Sequence, residues 1–208
     1  MSEMQVAAET LQEIGWGVSV FGSARIQPDT PYYALSEAIG SRLAKAGLTV
    51  IAGGGPGIME AANKGAFEAG GNSVGLNIKL PREAANNRYQ THSLTFDYFY
   101  SRKATFFMHS AAYIALPGGF GTLDELFEVL TLVQTRKVPP APIVLIGTEF
   151  WSGLISWIRS HLLANKLIGP RDLDLLTLTD DLDLVMAEIE RFRLFHAEER
   201  DTAPALPE

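Results

Sequence analysis

Short apolar runs alternate with helix-length amphipathic segments along almost the whole chain, and no other feature narrows the choice of fold as much. The runs at 16–21, 48–52, 73–78, 112–116 and 143–146 have strand length, while segments near 31–46, 56–69, 97–110, 121–135 and 150–163 have helical periodicity. Thr30 and Pro31 supply a cap and a first-turn proline for the first long helix, and Gly47 supplies its stop. A last short strand at 175–178 and an amphipathic helix over 180–195 complete the series. Strands alternating with helices are joined by right-handed crossovers and run parallel. The expected fold class is α/β, a doubly wound parallel sheet with helices on both faces. The 208 residues then make one domain, with a lead-in at about 1–14 and a frayed tail at about 197–208.

Two strand-to-helix junctions are glycine-rich. Gly53-Gly54-Gly55-Pro56-Gly57 follows the second strand, and Pro117-Gly118-Gly119-Phe120-Gly121-Thr122 follows the strand at 112–116. In a parallel sheet of this kind, that end of the strands faces the ligand crevice. Glycine lets the backbone approach an anion closely, and the helix that follows offers unpaired N–H groups and a partial positive charge. Gly54, Gly55, Gly57, Gly118, Gly119 and Gly121 are therefore candidate phosphate contacts. The competing reading is a pair of tight turns. Neither junction matches G-x-G-x-x-G or the P-loop, so NAD and ATP are not the expected ligands.

The charged residues near the second junction admit two readings. Thr122-Leu123-Asp124-Glu125 fits a capping box, in which Glu125 folds back on its own helix. It also fits a carboxylate kept beside an anion site because the chemistry needs one there. Upstream, Phe99, Arg102, Phe106 and His109 share a helical stripe, so Arg102 interrupts an apolar face. It needs either an anionic partner or a path to water for its guanidinium. Lys103 points about a quarter turn away, toward a rim.

Composition removes several classes of function. With 17 basic and 24 acidic residues the net charge is −7, and no basic stripe opposes it, so no nucleic-acid partner is expected. The chain has no cysteine, and its four histidines lack metal-ligand spacing, so neither a thiol nucleophile nor a metal is expected. No lysine stands in a convincing pyridoxal phosphate context, and no cofactor is expected. There is no apolar run of membrane or signal length, which suggests a cytoplasmic protein without a membrane partner.

The stretch SRKATFFMHSAAYIALPGGFGTLDELFE resembles the LONELY GUY family of cytokinin riboside 5′-monophosphate phosphoribohydrolases, whose members were often labelled lysine decarboxylases. GGGPGIMEAAN is similar to the family's first phosphate-side loop, and the likeness runs from about Val18 to Asp183. The resemblance implies a Rossmann-like homodimer or higher homo-oligomer that cleaves the ribose–base bond of a nucleoside monophosphate, giving free base and ribose 5-phosphate. It implies Arg102 and Glu125 as the catalytic pair, and Gly118, Gly119, Gly121 and Thr122 as the phosphate and ribose loop. It further implies Lys103 and Glu83 as substrate contacts. PGIMEAAN and NNRYQTHSLTFDYFY depart from the short plant-type members toward a second bacterial branch, so AMP or another purine nucleotide competes with a cytokinin nucleotide as substrate. The alternative is a nucleotide or molybdenum-cofactor carrier of the same fold that turns nothing over.

Overall fold

A computed structural model describes residues 2–81 and 85–202, with side chains as far as Phe195. In chain order the elements are α1 (Glu3–Thr10), β1 (Gly17–Phe21), α2 (Pro31–Lys45), β2 (Thr49–Ala52), α3 (Ile58–Glu68), β3 (Ser73–Ile78) and β4 (His92–Phe96). Then come α4 (Phe99–His109), β5 (Ser110–Ala115), α5 (Phe120–Gln134), β6 (Ile143–Leu145), α6 (Thr148–Trp157), α7 (Pro170–Leu173), β7 (Leu176–Leu178) and α8 (Leu182–Thr202). A π-helical segment, Ile158–Leu163, continues α6. Among the described residues no helix is long and apolar enough to cross a membrane.

The strands form one sheet in the order β4-β3-β2-β1-β5-β6-β7, and every neighbouring pair is parallel. Side chains alternate between its faces. Phe21, Ile51, Leu76, Tyr113 and Leu145 pack under α1, α4, α5 and α6, whereas Val20, Val50, Ile114 and Val144 pack under α2, α3 and α8. β1 and β2 are buried along their whole length, as expected of parallel strands covered on both sides. The chain winds outward from β1 to β4, and then α4 carries it back to place β5 on the other side of β1. The winding direction reverses between β1 and β5, the place where sheets of this type bind ligands at the carboxyl ends of their strands.

The structure differs from the sequence-based expectation in four places. Residues 92–96 form an edge strand, β4, where a connection into the next helix is expected; only Leu94 and Phe96 of it are buried. The lead-in is an integral helix, since α1 buries Ala7 and is continued by the buried Leu11. Glu3 also accepts hydrogen bonds from the Asp97 amide and the Ser101 hydroxyl at the start of α4. The helix expected over 150–163 is α-helical only to Trp157 before it widens into the π turn. At the C-terminus, α8 runs on to Thr202, into the stretch expected to fray.

Candidate active site

Both glycine-rich junctions lie at the carboxyl end of the sheet, one strand apart on either side of β1. The loop after β1 links them directly. The Ser23 amide donates to the Pro117 carbonyl at 3.1 Å, and the Ser23 carbonyl accepts from the Ile58 amide at 3.1 Å. Gly57 allows this closeness, because it has φ of 69° and a Cβ there would meet the backbone of Ser23 and Ala24. The two loops therefore border one crevice.

The second junction does not make a capping box. α5 starts at Phe120 with Gly119 as its N-cap and no side-chain cap, which puts Thr122 inside the helix and Glu125 in its second turn. Glu125 is thus free of a capping role. An added Cβ at Gly119 or Gly121 would meet nothing within 4 Å, so this chain's own packing does not require glycine at either position. That open space lies where a ligand would approach the first amides of α5.

α4 carries Arg102 to the same place. The residue is only 6% exposed. Its Nε donates to the Leu76 carbonyl of β3 at 2.6 Å, and its Nη2 donates to the Gly53 carbonyl of the first glycine loop at 3.3 Å. Its Nη1 stands 3.7 Å from Glu125 Oε1, and its guanidinium carbon lies 5.3 Å from the centre of the Phe106 ring. One side chain thus ties together the first loop, the sheet and the carboxylate that follows the second loop. Burial pulls the guanidinium's pKa down, and Glu125 partly offsets that.

The Glu125 side chain is 14% exposed. Burial pushes its pKa from the ordinary 4.5 up to about 7, against the opposing pull of Arg102, with Asp124 adding to the rise. A carboxylate so placed changes charge near neutrality, a property typical of groups that handle protons. Lys103 is engaged elsewhere: its Nζ lies 3.0 Å from Asp124 Oδ2 and 2.6 Å from Glu128 Oε2, on the outer side of α5. Burial lowers its pKa, but the hydrogen bonds it donates to Glu128 and Asp124 outweigh that, and the ammonium is held protonated. A substrate contact at Lys103 would share its ammonium with these two carboxylates. Glu83, the other expected contact, lies outside the described residues.

Two recesses lie away from this crevice. One, of about 690 Å³, is at the opposite end of the sheet beside Trp16, Gly17 and Ser110. The other, of about 550 Å³, runs along the outer side of α5 beside Phe120, Phe127 and Lys103. The sequence reading missed the segment 85–91, whose Asn87 and Gln90 grip the first glycine loop. Their signal in the sequence is faint, because amide side chains in a polar stretch look like any surface connection.

Comparison with known proteins bears on the family and the fold. A family described as possible lysine decarboxylase matches residues 59–189. The cytokinin riboside 5′-monophosphate phosphoribohydrolase LOG4 of Arabidopsis thaliana is 31% identical over 160 residues, 74% of this chain and 74% of that protein. A cytokinin riboside 5′-monophosphate phosphoribohydrolase of Rhodococcoides fascians is 30% identical over 176 residues, 83% of this chain and 88% of that protein. Among solved structures, the structural-genomics target TM1055 has a TM-score of 0.65 and 25% identity, covering 85% of this chain and 99% of its own. The molybdenum cofactor carrier protein of Chlamydomonas reinhardtii has a TM-score of 0.62 and 21% identity, covering 86% of this chain and 98% of its own, a likeness of fold alone.

Proposed function

We propose a reaction from one established premise: this chain belongs to the LONELY GUY family, the family described as possible lysine decarboxylase, which includes its plant and bacterial phosphoribohydrolase relatives. The reaction is hydrolysis of the N-glycosidic bond of a nucleoside 5′-monophosphate, giving free base and ribose 5-phosphate. The observation that carries it is Glu125, half-ionised near neutrality, held 3.7 Å from Arg102 between two glycine-rich loops.

Breaking the bond between C1′ and the base nitrogen builds positive charge on the ribose ring, so the site needs an anion near the ring and a firm grip on the remote phosphate. Ionised Glu125 supplies the anion. As the C1′–N bond breaks, its electron pair leaves with the base; water adds its oxygen to C1′ while Glu125 takes the water's proton, and that proton passes to the departing base nitrogen, which releases the neutral base and restores the carboxylate. The amides of Gly54, Gly55 and Gly57 and those at the start of α5 hold the phosphate, with Gly118, Gly119, Gly121 and Thr122 lining the ribose side. Arg102 orients Glu125 and favours its ionised form. The carrier reading leaves such a carboxylate without a task, since it repels an anionic cargo. A decarboxylase working through a lysine Schiff base suits the site poorly, because Lys103 is kept protonated by two carboxylates.

Incubation with AMP and with isopentenyladenosine monophosphate, followed by chromatography for free base, tests the reaction and chooses the substrate. Release of base from one nucleotide and not the other assigns it. Binding of both without release supports the carrier instead. Nucleotide turnover of this sort fits the cytoplasmic location that the sequence suggests.

A homodimer completes the proposal. Phe120 is 92% exposed in the very loop that borders the site, and Phe99 and Phe127 are exposed on the neighbouring turns of α4 and α5. Apolar surface of this kind beside a recess is typical of a protein interface. Phe127→Asp is expected to halve the mass measured by size-exclusion chromatography with light scattering. A wild-type chain that runs as a monomer at tens of micromolar would end the dimer proposal.

A further inference from the structure

The carbonyl groups of Gly53, Gly54 and Gly55 all point into the protein. Gly53 gives its carbonyl to Arg102 Nη2. Gly54 gives its carbonyl to the Asn87 amide at 2.8 Å and to Gln90 Nε2 at 3.1 Å. Gly55 gives its carbonyl to Asn87 Nδ2 at 3.1 Å. Both donor residues belong to the connection between β3 and β4, in the stretch NNRYQ.

These donors are themselves fixed. Asn87 is 8% exposed, and its Nδ2 also donates to Asn63 Oδ1 at 3.0 Å, while its Oδ1 accepts from the Tyr89 amide at 3.1 Å. Gln90 exchanges hydrogen bonds with the buried Asn77, at 3.2 and 3.3 Å. The loop lies so close on this bed of amides that a Cβ at Gly54, whose φ is 75°, would strike Asn77. Among the described residues, by contrast, the amides of Gly54, Gly55 and Gly57 have no acceptor.

A trans peptide is planar with its C=O and N–H bonds pointing in opposite directions, so fixing the carbonyl of one residue on one side presents the N–H of the next residue on the other. We infer that Asn87 and Gln90 are positioning residues: the Asn87 amide and Gln90 Nε2 hold the Gly54 carbonyl inward and so aim the Gly55 N–H at the phosphate end of the substrate, while Asn87 Nδ2 pins the next peptide, Gly55–Pro56, which has no N–H, and so fixes the path of the loop. A loop free to turn would present carbonyl oxygens, which repel an anion. This inference rests on the phosphoribohydrolase reading, in which the loop takes the phosphate.

The test measures competitive inhibition of base release by two products, ribose 5-phosphate and free base, in wild type, Asn87→Ala and Gln90→Leu. Loss of one such hydrogen bond is expected to raise the inhibition constant of ribose 5-phosphate about tenfold. KM for the nucleotide rises by a similar factor, while kcat and the inhibition constant of the base stay within about twofold. Gln90→Glu, which keeps the size and loses the donor, should behave as Gln90→Leu does. Equal weakening of both inhibitors marks general loosening of the fold and overturns the inference, as does unchanged inhibition by ribose 5-phosphate. Should Asn87→Ala fail to fold, the two Gln90 variants decide alone. A wild type that neither releases base nor binds ribose 5-phosphate by calorimetry brings down the reaction itself, an outcome distinct from a working enzyme whose variants bind ribose 5-phosphate normally.

Discussion

Glu125→Gln is expected to lower turnover of the nucleotide at least about a hundredfold, the scale of a single well-placed electrostatic contribution in a water-poor site. KM should change little, because the phosphate grip lies on the backbone of the two loops. The amide keeps the shape of the side chain and removes both its charge and its capacity to take a proton. The wild-type rate should climb as pH rises through about 7, where Glu125 ionises. Stability moves the other way. Glu125 holds its proton more tightly in the folded chain than at the ordinary 4.5, so its contribution is full below about 4.5 and is lost as pH rises toward 7. The gap in melting temperature between wild type and Glu125→Gln should therefore shift against the wild type across that window. A variant with wild-type kcat, or with no such shift, removes Glu125 from the chemistry.

Arg102→Met is the second large effect, and it should strike stability as well as rate. The substitution strips donors from the Leu76 and Gly53 carbonyls and leaves Glu125 without its nearby cation. Removing one member of a buried charge pair costs about 3–5 kcal/mol, readable as a lower urea midpoint. Glu125 without Arg102 should stay protonated to higher pH, so the rate falls at neutrality and its rise moves to alkaline values. Arg102→Lys restores a positive charge but not the planar fork that spans two carbonyls, and it should recover little activity. Wild-type kcat in Arg102→Lys would reduce Arg102 to a charge without a positioning role.

Much of this was legible in the sequence because strand and helix periods differ sharply. β1, β2 and β5 are nearly continuous apolar runs, and the glycines after β2 and β5 punctuate them. β4 was less visible: His92–Phe96 is short, buries one side only, and follows a polar stretch that reads as loop. Arg102 stood out as a cation on an apolar stripe, and the structure buries it as that stripe implies. Lys103 looked like its companion, yet its partners Asp124 and Glu128 lie 21 and 25 residues away on α5, at a distance that spacing along α4 cannot reveal. The docking of Glu3 on the start of α4 is hidden for the same reason, spanning more than 90 residues. The choice between a capping box and a functional carboxylate needed the helix start itself, because a shift of three residues, from an N-cap at Thr122 to one at Gly119, moves Glu125 from one role to the other.

α4 ends at His109 and β5 begins at Ser110, with no connecting residue between them. The helix that bears Arg102 and the strand that leads into the second glycine loop consequently form one stiff unit. A single inserted residue at that seam would swing α4 by about 100° about its axis and carry the guanidinium out of the crevice. The stretch 135–142 between α5 and β6 has slack of its own, so length variation among descendants of this gene should accumulate there and be purged at the seam.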